Sequence, residues 1–148
     1  MIREGIIAGA IAGVVSGAPS TAHALATGGD PLEATKAAGA MLLPGETGQV
    51  KLILAAVPVH AAISLGWGVV LAKVLPRKNI AWGALAGLAI AALDLGIAAR
   101  RFPRVSALPV VPQVIDHLAY GATVGFVLRR LAGTRSVSGA RADEVRGG

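Results

Sequence analysis

With 148 residues, 54% of them hydrophobic and 15% charged, and a mean hydropathy of +0.67, the chain is too apolar for an ordinary water-soluble domain of its length. Cysteine is absent, which excludes disulfides, thiolate nucleophiles and thiolate metal sites. The net charge of +6 sits at the ends of apolar segments and in the tail, with only 3% aromatic residues to interleave, so the partner it fits is an anionic lipid bilayer and not nucleic acid.

The first apolar segment, 5–25, carries no titratable side chain except His23, and about 20 apolar residues suffice to cross the hydrocarbon. Its run GIIAGAIAGVVSG places Gly5, Gly9, Gly13 and Gly17 on one helix face, a glycine zipper that another helix backbone can approach closely. That face is expected to pack against the third or fourth span. A homo-oligomer or a larger membrane complex uses the same physics. A cleaved signal peptide is the rival reading, carried by Ala22-His23-Ala24 and Ala24-Leu25-Ala26; against it, the leading basic region is Arg3 beside Glu4, and the segment is rich in Gly rather than Leu.

A helix start follows at Asp30-Pro31-Leu32-Glu33. Asp30 can cap, Pro31 fits the first helical position, and Glu33 falls where its carboxylate reaches back to the cap. The short helix over 31–43 ends at Pro44-Gly45 and is too short to cross, which places it at the interface. A reactive acid pair is the other use of Asp30 and Glu33.

The second span, 52–72, contains Pro58, which predicts a kink, and its stripe Ala56, His60, Ser64, Gly68 turns His60 toward protein. A basic turn with Arg77 and Lys78 follows, flanked by Trp67 and Trp82 as interfacial anchors. The third span, 80–99, aligns Gly83, Gly87, Ala91, Asp94 and Ala98. Leu108-Pro109-Val110-Val111-Pro112 then reads as a broken or re-entrant lead-in. The fourth span, 113–130, shows Asp116, His117, Tyr120, Gly121 and Gly125 along one side. Residues 133–148 are polar and Gly- and Arg-rich, and are expected to form a disordered cytoplasmic tail.

The architecture expected is therefore all-α: an integral membrane four-helix bundle over 1–132 with one interfacial helix. Nine of the 14 Lys and Arg residues fall on one side if both termini are cytoplasmic, and the positive-inside bias selects that orientation, although Arg100, Arg101 and Arg104 oppose it. In such a bundle His23, His60, Asp94, Asp116 and His117 lie in the same half of the membrane. Ionisable groups in hydrocarbon face the interior and pair, so these five with Tyr120 are expected to form a buried polar cluster in one leaflet.

Three uses of that cluster compete. Interhelical hydrogen bonds would fasten the bundle, a packing role of about 0.5–2 kcal/mol per bond. A carboxylate–histidine chain could instead serve a proton-linked small-solute transporter or channel. An intramembrane metal site is the third, since three His with two Asp would be enough ligands, but no His-Glu-x-x-His or Glu-x-x-His pair sets two of them on one helix face, so neither metal nor cofactor is expected. Ser16, Ser20 and Ser64 lack a nucleophile elbow or Ser-x-x-Lys context, so no catalytic residue is assigned and a non-enzymatic role is expected.

The runs GAPSTAHAL (17–25), PVH (58–60) through GWG (66–68), ALDLG (92–96) with RRFP (100–103), and PQVIDH (112–117) resemble small uncharacterised multi-span proteins of bacterial plasma membranes. The resemblance implies a location and carries no activity with it. Its implied setting, the bacterial plasma membrane, agrees with the bias toward Ala, Gly and Arg that a GC-rich genome produces.

Overall fold

The computed structural model describes residues 1–146, and among these the chain is all-helical with no strand. The helices are α1 (Ile2–Val15), α2 (Ala18–Thr27), α3 (Glu33–Leu42), α4 (Gln49–Val74), α5 (Ile80–Gly96), α6 (Pro103–Ser106) and α7 (Val110–Arg146), with a 3-10 turn at Ala98–Arg101. Three stretches, Ile2–Thr27, Gln49–Val74 and Ile80–Arg101, are long and apolar enough to cross a membrane. α7 is not one of the three; Gln113, Asp116, His117 and Tyr120 put polar groups into 113–130.

The first stretch departs from the single helix expected over 5–25. Ser16 and Gly17 form a turn with right-handed dihedrals, so the chain travels onward and restarts as α2. Pro19 fits the first turn of α2, where the N–H that proline lacks has no intrahelical partner. Gly28, at φ 73°, adopts the left-handed conformation that ends α2 at little steric cost.

The interfacial helix also starts later than expected. Asp30 Oδ1 accepts the Leu32 N–H at 2.8 Å in a local turn, and α3 begins at Glu33 with no side-chain cap. The expected capping box does not form because the Glu33 carboxylate turns to cations, Lys36 at 2.7 Å and Arg104 at 3.5 Å. Pro58 lies within α4, which is assigned as one helix from Gln49 to Val74.

Two further boundaries differ. The 3-10 turn takes over after Gly96, so the third helix is shorter than 80–99. The broken lead-in at 108–112 is smaller than expected, because α7 begins at Val110 and takes Pro112 into its first turn, where no intrahelical bond is lost. α7 then runs to Arg146 in place of the disordered tail expected from 133, with no proline after Pro112 to interrupt it; 147–148 lie outside the described residues.

In space α1 lies between α4 and α7, α5 rests along α7, and α3 lies along α4. The seams between these helices are built from small residues. A Cβ on Gly68 of α4 would meet the Gly9 Cα of α1 at 2.6 Å, and one on Gly121 of α7 would meet the Gly87 Cα of α5 at 2.8 Å. Gly5, Gly83 and Gly125 are equally confined by facing backbone, and Gly13 faces the Ser64 side chain. The glycine face of α1 thus meets α4 rather than α5 or α7, because Ser64 and Gly68 offer it a surface as small as its own. A Cβ on Gly17 would meet nothing within 4 Å, since Gly17 falls in the turn and not on the helical face.

The larger apolar side chains divide unevenly. Leu52, Leu71, Ile90, Val124 and Leu128 are buried, and Ala8 and Ala12 are fully so. Val14, Leu25, Leu54, Val57, Leu85, Ile97 and Val111 stand outward, Val14 at 86% exposure. Small residues line the inside of the seams and many large apolar residues face out.

Candidate functional site

Apart from His23, the polar side chains singled out in the sequence reach across these seams, and the geometry follows from helix periodicity. Asp116 and His117 are consecutive on α7, so they diverge by about 100° and reach different neighbours. His117 turns to α5, where its Nε2 lies 3.1 Å from Asp94 Oδ2. Its Nδ1 lies 2.7 Å from the Gln113 carbonyl, which can only accept, so Nδ1 carries a hydrogen. One further proton between ring and carboxyl completes the pair, whichever of the two holds it.

Asp116 turns to α2. The turn at Ser16 and Gly17 restarts the helix, which leaves the Ser20 N–H in the first turn of α2 without an intrahelical carbonyl. Ser20 N–H donates to Asp116 Oδ1 at 3.0 Å, so a carboxylate from α7 caps α2.

Two more ties join the remaining seams. The Tyr120 hydroxyl donates to the Ser64 carbonyl at 2.5 Å, linking α7 to α4. His60 is exposed rather than buried as expected, and its Nε2 donates to the Gly13 carbonyl at 2.8 Å, linking α4 to α1. His23 is exposed, and its backbone carbonyl accepts the Thr27 hydroxyl at 2.9 Å.

The expected cluster is thus divided into separate ties. Asp94 and His117 meet, Asp116, His60 and Tyr120 each reach a backbone group of another helix, and His23 stands apart. Among the described residues no three His, Asp or Glu side chains come together in a way that could hold a metal ion. Three of the partners, the Ser20 N–H and the Ser64 and Gly13 carbonyls, are main-chain groups that every residue carries. The one available signal was Gly17 followed by Pro19, which marks a restarted helix and hence an orphan N–H.

A second polar group was missed in part, since Asp30 and Glu33 were singled out without the cation between them. Lys36 on α3 is buried to 6% exposure, with its ammonium in contact with Asp30 and Glu33. Glu33 also meets Arg104 of α6, so this network holds α3 against the loop that leads into α7. The Lys36 hydrogen bond, with that from the Leu32 N–H, holds the Asp30 carboxyl below its ordinary range, and the hydrogen bonds to Asp30 and Glu33 raise the Lys36 ammonium above its own. Glu46 is lowered in turn, by the Gly48 N–H first and then by Lys51. At the opposite end Glu4 is buried, 3.4 Å from the N-terminal amine and 3.7 Å from Lys78 Nζ.

No family model, curated protein or solved structure matches the chain.

Proposed function

We propose that the chain is a non-enzymatic integral membrane protein of the bacterial plasma membrane, with α7 as a fourth span and both termini cytoplasmic, whose work is association through its small-residue helix faces. The observation that carries this reading is the inversion of the packing. A chain folding in water buries its large aliphatic side chains, whereas here glycine, alanine and serine occupy much of the seams and valine, leucine and isoleucine face out. Lipid is the solvent in which that arrangement exposes nothing costly.

The polar ties support association over chemistry. His60, Asp94, Asp116, His117 and Tyr120 each end on a partner in another helix, which is what a fastening bond requires. Lys73, Arg77, Lys78, Arg129 and Arg130 lie at the end that carries the N-terminus, in keeping with the positive-inside bias.

The chain lacks cysteine, so single cysteines can report its orientation without background. Membranes washed with alkaline carbonate are expected to retain the protein. In intact cells a membrane-impermeant maleimide is expected to label Thr47→Cys, and Arg77→Cys only after permeabilisation. Recovery in the carbonate supernatant would overturn the reading, and labelling of both positions in intact cells would overturn the orientation.

The Asp94–His117 pair favours one second reading, proton-linked movement of a small solute, since a carboxylate beside an imidazole can pass a proton. Wild-type protein in liposomes that shows no pH-dependent flux ends it.

A further inference from the structure

α7 outruns the helix it packs against. The Gly125 position lies against Asn79, the residue that caps α5, so beyond it α7 continues where α5 has not yet begun. The step between them is an open cleft of about 630 Å³ lined by Ile80, Phe126, Arg129, Arg130, Gly133 and Thr134. On α7 these positions repeat at i, i+3, i+4, i+7 and i+8, which is one helical face.

The two ends of that face differ in chemistry. Ile80 and Phe126 make an apolar floor, and the Arg130 guanidinium lies over the Phe126 ring at 5.1 Å from its centre. Arg129 and Arg130 bring two cations, and among the described residues neither is ion-paired to an acid. Ile80 is the first residue of α5, so the positive end of that helix dipole adds to the same field. A Cβ on Gly133 would meet nothing within 4 Å, so the cleft is hollow at the level of the arginines.

We infer that this cleft binds an anionic phospholipid, its phosphate between Arg129 and Arg130 and the start of its acyl chain along Ile80 and Phe126. The inference rests on the membrane reading above, which sets the cleft at the cytoplasmic surface. A soluble phosphate would use the arginines and leave the apolar floor bare. A zwitterionic lipid would use the floor and leave the charge of the arginines unbalanced. The anionic lipid satisfies both, and guanidinium groups favour phosphate oxygens geometrically.

The test is binding of phosphatidylglycerol to the purified full-length protein, read as lipid adducts by native mass spectrometry and as a rise in melting temperature. Saturable binding is expected from phosphatidylglycerol, weaker binding from phosphatidylcholine, and none from glycerol phosphate or inorganic phosphate. The double variant Arg129→Gln with Arg130→Gln is expected to bind about tenfold more weakly. Gly133→Leu keeps the charge and adds bulk to the hollow, where its Cβ meets nothing within 4 Å, and is expected to lose binding too. Lys73→Gln with Arg77→Gln, at the same end but outside the cleft, is expected to bind as wild type.

Equal binding of phosphatidylglycerol by the cleft variants and wild type would overturn the inference, as would equal uptake of phosphatidylcholine or tight binding of inorganic phosphate alone. Carbonate extraction keeps this separate from the broader reading. A chain retained in membranes but with unaltered lipid binding in the variants overturns the site alone, whereas a chain released by carbonate overturns both.

Discussion

Gly87 of α5 and Gly121 of α7 face each other so closely that one methyl group on Gly121 would reach within 2.8 Å of the Gly87 Cα. The same relation recurs between Gly68 of α4 and Gly9 of α1, where the distance is 2.6 Å. Two seams, on either side of the α1–α7 contact, thus depend on the absence of side chains at named positions.

Leucine at Gly121 or Gly9 is therefore expected to force the helices apart, a destabilisation of about 1–3 kcal/mol or more. Leucine at Gly17, which meets nothing within 4 Å, is expected to stay within about 0.5 kcal/mol of wild type. Unfolding of the three variants in detergent, followed by circular dichroism, separates the two classes. Equal stability of Gly121→Leu and Gly17→Leu would contradict the seam.

Tyr120→Phe keeps the ring in the core and removes only the hydroxyl that bonds Ser64, so its cost is expected near 0.6 kcal/mol, below about 2. The pair Asp94 and His117 is expected to show coupling of about 0.5–2 kcal/mol in a double-mutant cycle with alanine. Additive alanine effects would mean that the 3.1 Å contact contributes no net fastening.

The docking of α3 is expected to depend on pH at both limits. Asp30 is lowered in the folded state, chiefly by Lys36, so its share of stability is full above the unfolded value near 3.8 and is lost as pH falls through the folded one. Lys36 is raised, chiefly by Asp30, so its share is full below 10.5 and is lost as pH rises through the raised value. Amide hydrogen exchange in α3 is expected to be slowest between those limits and to rise in Lys36→Met at neutral pH, with α5 and α7 unaffected. Unchanged exchange in α3 would show that the network does not hold it.

The helical character and much of the seam chemistry were legible in the residues themselves. Glycine and alanine four apart can only mark a close face, and Gly5, Gly9, Gly83, Gly87, Gly121 and Gly125 all lie against facing backbone. Gly17 misled because periodicity assumes an unbroken helix, and the turn at Ser16 and Gly17 removes it from the stripe. The capping box misled because a carboxylate at Glu33 satisfies the local rule and an ion pair equally well, and Lys36 with Arg104 competed for it.

Sequence by itself determined that the chain forms long apolar helices and that their small faces meet, because those follow from composition and a fixed helical period. Only the tertiary structure decided that α1 pairs with α4 and α5 with α7, and that Asp116 caps α2 while its neighbour His117 reaches Asp94. Which helix lies opposite which is settled by the fit of whole surfaces, and the groups that accept these bonds are largely backbone atoms, identical along every residue of the chain and therefore silent in its sequence.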